Sequence, residues 1–251
     1  MTVQTIDEVI LTLDEIIARA RRERSRLGFF ATLYRNVTVR VKAGIAEGFF
    51  EDGPRVERLD VAFANRYLTA LESFQRGQHP SLCWLVSFKA ASSRRPLILQ
   101  HLLLGINAHI NFDLGIAAAE IAPGAQLPAL KHDFEQINNI LGGMLNKVRA
   151  NVDELSPWID FLDNFETQRQ DKLINFSLTK ARDSAWRVAE RLAPLDAAGR
   201  AAELERLDRK VAALGWFVRR PGGLWLNFGL WLISLRESND IPHIIDVLSQ
   251  M

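Results

Sequence analysis

The chain has 251 residues, 48% of them hydrophobic and 24% charged, with 31 basic against 30 acidic side chains, 15 Gly and one Cys. An apolar fraction of that size excludes a disordered chain, and a net charge of +1 excludes a global field that would draw the protein onto nucleic acid or anionic lipid. The lone Cys83 excludes an intramolecular disulfide, and an amino terminus without the basic-then-apolar pattern of a signal peptide makes the cytoplasm the expected location.

Apolar positions recur at three- and four-residue steps almost everywhere, and no alternating run rich in β-branched residues interrupts them, so the spacing predicts an all-α fold. A first helix is expected over 5–26, with Ile6, Val9, Ile10, Leu13, Ile16 and Ile17 on one stripe and an arginine-rich, solvated tail. A less regular segment over 29–48 ends in the turn-like Glu51-Asp52-Gly53-Pro54, where proline suits the start of a third helix running to Phe74. A short apolar segment over 81–91 precedes a long helical stretch over 97–121, and another helix is expected over 128–152. Pro157 marks a break before a turn over 158–165, and a further helix spans 171–192. The stretch 197–214 is helical with a charged outer face, 224–235 is strongly apolar, and a short helix over 241–249 closes the chain. No repeat of about 20 to 50 residues is present. No linker separates two cores, so residues 1–251 are expected to form one domain. The longest candidate for membrane insertion, Leu224–Leu235, falls short of the roughly 20 residues that a span requires, so no membrane span is expected.

The informative positions are polar groups in the middle of apolar stripes. On the third helix Asp60 and Tyr67 fall inside the face defined by Val56, Leu59, Phe63 and Leu71; on the 171–192 helix Arg182 lies inside the stripe beside Trp186. The 128–152 stripe contains Asn138, with Asp133 one turn before it. An unpaired buried charge is prohibitive, and the economical expectation is that Asp60 and Arg182 satisfy each other, as a structural bridge or as two walls of a pocket in which Arg182 clamps an anion.

The strongest signal is Gln100-His101-Leu-Leu-Leu-Gly105-Ile-Asn107-Ala-His109-Ile-Asn111-Phe-Asp113, apolar all round except for two stripes. His109, Asp113 and Glu120 share one side, and Gln100, Asn107 and Asn111 nearly the opposite side. A helix without a charged face is expected to be surrounded by others. His109 and Asp113, four apart, suit three roles: joint ligands of a divalent metal (Zn, Mn or Fe) with carboxylates such as Asp133 arriving from neighbours, a metal-free general base oriented by its carboxylate, or a purely structural cross-link. Sequence signatures of the common nucleotide-binding and hydrolase folds are missing.

The run Asn107-Ala-His109-Ile-Asn111-Phe-Asp113-Leu114 resembles the N-A-H-[IV]-N-[FY]-D-L core of an uncharacterised bacterial family, a domain of unknown function. The likeness extends to 59–68, to Asp133–Asn138 and to Arg182–Trp186; it groups these residues into one site and implies no activity. The His-x-x-x-Asp pair is also similar to helical zinc nucleases and phospholipases C, but five scattered histidines depart from that pattern. The expectation is therefore a single-domain all-α bundle of eight to ten helices with an interior polar pocket. Within it His109, Asp113, Asp60 and Arg182 are catalytic candidates, and Asn107, Asn111, Tyr67 and Asn138 are substrate-binding ones. His109, Asp113 and Asp133 are metal ligands for hydrolysis of a small or lipid-like substrate. Six Trp and 14 Phe against two Tyr keep open a metal-free apolar binding or cyclase-like protein, and the 224–235 segment keeps open a helical interaction module.

Overall fold

The computed structural model describes residues 2–155 and 178–250. Among them are ten helices and no strand, an all-α bundle as the periodicity predicts. They are α1 (Ile6–Glu23), α2 (Leu27–Ala46), α3 (Gly53–Gln75), α4 (Leu82–Ala91), α5 (Ile98–Ile121), α6 (Leu127–Leu155), α7 (Leu178–Leu192), α8 (Ala197–Arg219), α9 (Leu224–Ser234) and α10 (Ile241–Ser249). The turn expected over 158–165, and the part of the seventh helix before Leu178, lie outside the described residues.

Helix starts follow local chemistry, in several cases with help from a distant carboxylate. Thr5 caps α1 by accepting from the Glu8 N–H, and acidic Asp7 and Glu8 with basic Arg21 and Arg22 complement the two ends of its dipole. Asp52 caps α3, with Pro54 in its first turn. Asp208 on α8 accepts from the Leu82 and Cys83 N–H groups at the start of α4, and Glu237 accepts from the Ile98 N–H that opens α5. Those bonds satisfy amides that an uncapped first turn would leave unmade.

α5 is the axis of the fold, with α2, α3, α4, α7 and α8 packed around it. By length and composition it is the one described helix apolar enough to cross a membrane, which corrects the choice of Leu224–Leu235 as the longest such candidate. Its surface is covered by neighbouring helices: 83% of its apolar window is buried inside the bundle. Two glycines permit that crowding. A Cβ at Gly105 would stand 2.4 Å from the Phe30 ring of α2, and one at Gly115 would stand 2.4 Å from the Ala185 carbonyl oxygen of α7. Buried Ala181, Ala185 and Ala189 on α7 offer the complementary shallow face. At the far end of the chain, Trp231 of α9 and Leu235 just past its end are more than half exposed.

The contact at Gly115 is with backbone, which no side-chain rotation relieves. Gly115→Ala is expected to lower the unfolding free energy by about 2 to 3 kcal/mol through overpacking, whereas Gly222→Ala, with open space around its added methyl, is expected to stay within about 0.5 kcal/mol. Urea unfolding of both variants checks this, and equal midpoints would contradict the close approach of α5 to α7.

Candidate functional site

The motif His109–Leu114 does not continue the α-helix. It forms a π turn inside α5, with α-helix from Ile98 to Ala108 before it and from Gly115 to Ile121 after it. Such turns are rare and recur at functional sites. His109, 3% exposed, is enclosed by rings from three other helices. Phe63 of α3 stacks flat on it at 3.5 Å between centroids, and Tyr34 of α2 meets it edge-on at 4.4 Å. Phe30, Trp84 and Tyr67 close the enclosure at 5.5, 5.9 and 6.1 Å. The imidazole is held neutral, its pKa lowered by burial, with the Asp113 carboxylate opposing that shift in part.

Asp113 is the anchored member of the pair. The Trp84 indole N–H donates to its Oδ2 at 2.7 Å, and the Arg66 Nε donates to its Oδ1 at 3.1 Å. Arg66 continues to Glu120 through Nη1 at 3.2 Å, so the side of α5 that helical phase assigned to His109, Asp113 and Glu120 is observed as a face bridged by one guanidinium. Asp113 Oδ2 stands 3.5 Å from His109 Nδ1, too long for a well-formed hydrogen bond. Both imidazole nitrogens lack a hydrogen-bond partner.

Two further groups add to this deficit. Asp60, where helical phase placed it on the buried face of α3, has an unpartnered Oδ2, and its carboxyl pKa is raised to about 7, first by burial and then by Glu57. The hydroxyl of Tyr34 is also buried and makes no well-formed hydrogen bond, since the nearby Thr38 hydroxyl donates to the Tyr34 carbonyl; its pKa is pushed up by burial and by the Asp60 charge, with Thr38 opposing the shift. Tyr67, also expected in the site, is buried with its pKa raised by burial, and packs against Tyr34 at 6.0 Å. Both tyrosines of the chain thus belong to the wall around His109.

Other expectations are corrected. Arg182 does not meet Asp60: it donates to the Phe134 carbonyl oxygen and lies over the Phe134 ring at 4.4 Å, its pKa lowered to about 9 by burial. Asp133 does not approach His109. It accepts from the Glu51 and Asp52 N–H groups at 2.7 and 3.1 Å and from Arg55 Nη2 at 2.9 Å, which fastens α6 to the start of α3. Asn107 Nδ2 donates to the Val211 carbonyl at 2.9 Å and its Oδ1 accepts from Asn111, while Gln100 donates to the Val218 carbonyl at 2.7 Å, so the carboxamide stripe is the seam between α5 and α8, away from His109. Asn138 keeps one buried, unpartnered oxygen on α6. Among the described residues, the one trio with metal-ligand spacing is Glu51, His132 and Asp133, of which Glu51 and His132 are exposed; no third carboxylate or imidazole converges on His109 and Asp113.

Tyr34, Phe63, Trp84 and Arg66 are the site residues that pattern reading did not select. Phe30, Tyr67 and Trp84 present their other sides to a surface pocket that also touches Arg26, Ser87 and His101 and whose interior, about 20 Å³, has room for one water. The expected interior cavity is therefore two adjoining things, a packed polar cluster and a small outer pocket that share a wall of three rings.

A bundle with this buried His/Asp centre defines the class, and comparison places it. The model of a family of unknown function, DUF5995, matches residues 6–221, and the chain belongs to that family. The matched span contains α1 to α8 and every residue of the centre. No curated protein and no solved structure matches the chain.

The folded state binds the Asp60 proton more tightly than the unfolded chain does. The stability this confers is complete below about pH 3.8 and is lost as pH rises through about 7. Asp60→Asn, neutral at every pH, is therefore expected to be more stable than the native chain at pH 8, by on the order of a few kcal/mol, with the difference shrinking toward pH 4. Thermal midpoints measured across that range test it, and a difference independent of pH would show that Asp60 is paired.

Proposed function

We propose that the His109 centre is a metal-free acid–base site acting on a small substrate with an apolar body. The observation that carries this reading is a set of unpartnered polar atoms linked through one ring: His109 Nε2, the hydroxyl of Tyr34, whose ring meets the imidazole at 4.4 Å, and Oδ2 of Asp60, whose charge acts on Tyr34. Each such atom costs about 1 to 3 kcal/mol when left without a partner. A core selected for stability alone would be expected to replace them with apolar atoms.

The roles follow from the opposed shifts. Burial lowers the imidazole and raises the carboxyl of Asp60 to about 7, so a base and an acid coexist near neutral pH without exchanging their proton. Asp113, fixed by Trp84 and Arg66, favours the tautomer with the proton on Nδ1 and leaves the Nε2 lone pair as the base. Asp60 or the Tyr34 phenol supplies the returning proton. Arg66 on Asp113, and the lack of a third converging ligand among the described residues, disfavour the metal-assisted version for this pair. Phe63 stacked at 3.5 Å leaves no space for substrate beside the imidazole, so entry requires Phe30 and Tyr67 to swing aside from the outer pocket while Trp84 stays on Asp113.

Two measurements test the reading. Tyr34→Phe removes an unpartnered hydroxyl and is expected to raise the unfolding free energy by about 1 kcal/mol; a loss of stability would mean that the hydroxyl has a structural partner. Long-range nitrogen–proton NMR at pH 6 is expected to show His109 neutral with the proton on Nδ1, unmoved by an equivalent of zinc or manganese. Stoichiometric displacement of its signals by metal would overturn the metal-free assignment.

A further inference from the structure

One end of the bundle is basic and apolar at once. Four chain segments meet there, 22–26, 92–96, 216–220 and 235–240, and hydrogen bonds fix their places. Arg24 pairs with Asp240 at 3.1 Å, and Glu237 accepts at 2.9 Å from the Ile98 N–H just past the second segment. Gln100, one turn further along α5, donates to the Val218 and Arg219 carbonyls at 2.7 and 3.4 Å. Together the four segments carry eight arginines against three carboxylates. Two of those carboxylates are engaged, Asp240 by Arg24 and Glu237 by the Ile98 amide, while Arg94, Arg95 and Arg220 stand exposed. The whole chain balances 31 basic against 30 acidic side chains, so this excess is local and is hidden in the total.

Large apolar side chains gather in the same region. Among the described residues nine large hydrophobics are exposed, and five of them, Leu214, Trp216, Phe217, Trp231 and Leu235, fall between 214 and 235. The Arg219 guanidinium lies over the Trp216 ring at 5.2 Å. α9 itself has 11 residues and no charge. An apolar helix of that length is either a core helix or an interfacial one. α4, with 10 residues, is the core kind, its Trp84, Val86, Phe88 and Ala90 all buried. α9 is not: Asn227 and Trp231 are exposed, Leu230 and Leu232 half-buried, and of its described side chains only Ile233 is buried. The chain just before α9 and just after it is tied to the first turn of α5, through Gln100 and through Glu237, which holds α9 over the basic end.

We propose that this end of the molecule docks onto an anionic phospholipid surface, with Trp216, Phe217, Trp231 and Leu235 entering the headgroup region and the arginines meeting lipid phosphates. Guanidiniums pair with phosphate oxygens, indoles settle at the boundary between apolar and polar layers, and an uncharged helix too short to span can lie along that boundary. Nucleic acid would take up the charge and leave the apolar side chains in water; an apolar partner surface would bury guanidiniums without counter-ions. A bilayer surface answers both features, and the association is independent of any chemistry at His109.

The test is co-sedimentation of the full chain with vesicles of phosphatidylcholine alone, and of phosphatidylcholine containing about one-third phosphatidylglycerol. Binding is expected to the anionic vesicles, roughly tenfold or more weaker to the neutral ones, and to decline as salt is raised. Arg94→Gln combined with Arg220→Gln, both at exposed positions, is expected to weaken binding about thirtyfold, at about fivefold per arginine. Trp231→Ser is expected to weaken it roughly tenfold. Arg187→Gln, on the exposed side of α7 toward the other end of α5, is expected to bind as the native chain does, and thermal midpoints confirm that each variant folds. Equal binding to the two vesicle types, no binding to either, or a loss with Arg187→Gln as large as with the arginine pair would overturn the proposal. A dimer in sedimentation velocity that Trp231→Ser dissociates would assign the face to a second copy of the chain and overturn it equally.

Discussion

The structure depends on burying one carboxylate at the centre of an apolar helix. Asp113 is 2% exposed, and removing a carboxylate from water costs several kcal/mol even after the protein relaxes around it. Trp84 of α4 and Arg66 of α3 both reach it, so the charge is tolerated only where three helices meet in one register. This requirement explains much of the surrounding geometry. Gly105 lets the Phe30 ring of α2 lie against α5, Gly115 lets α7 lie against it just past Asp113, and the rings between them exclude water from the ion pair. Losing either donor would leave a buried charge half satisfied, a larger penalty than losing the pair as a whole.

The satisfied and unsatisfied halves of the centre stand side by side. Asp113 has partners of good geometry on both oxygens, while the imidazole beside it makes only a long approach of 3.5 Å to that carboxylate, and the Tyr34 hydroxyl and one oxygen of Asp60, whose charge acts on Tyr34, are orphaned. A structural cross-link would distribute its hydrogen bonds evenly. Here the bonds are spent on fixing the carboxylate, and the groups with shifted acidity are left with unused capacity. The π turn points the same way. It replaces the α-helical register by the rarer π register over the six residues that carry His109 and Asp113.

Much of the architecture was legible because it rests on short-range rules. Helical periodicity located α5 and the two polar stripes on it, and turn chemistry at Asp52-Gly53-Pro54 located the start of α3. Burial of Asp60, Tyr67, His109, Asp113 and Arg182 also followed from phase alone, since a polar residue on an apolar stripe has nowhere else to go. Partner choice did not follow. Phase assigns a direction from one helix axis and says nothing about which helix lies there, so it pairs Arg182 with Asp60, whereas α7 turns Arg182 onto the Phe134 carbonyl. Asp133 was misassigned for a related reason: distant carboxylates serve here as helix caps, and sequence spacing carries no signal for a cap that comes from another helix.

Tyr34 was overlooked although a compositional clue was present. A chain with 14 Phe and two Tyr uses phenylalanine wherever an aromatic ring is needed for volume, so each retained hydroxyl is a departure from the local habit. Both phenols lie against the same histidine, on different helices. If position 34 required only packing, phenylalanine would fill it at lower desolvation cost, because a buried hydroxyl without a partner is worse than no hydroxyl at all. The Tyr67 ring also belongs to the wall shared with the outer pocket, which gives that aromatic position a second constraint: it must close the enclosure around His109 and yet be movable from outside. Trp84 in that wall is tied to Asp113 through its N–H, whereas the neighbouring Phe30 ring is held by packing alone, so the two demands are divided between a fixed ring and movable ones.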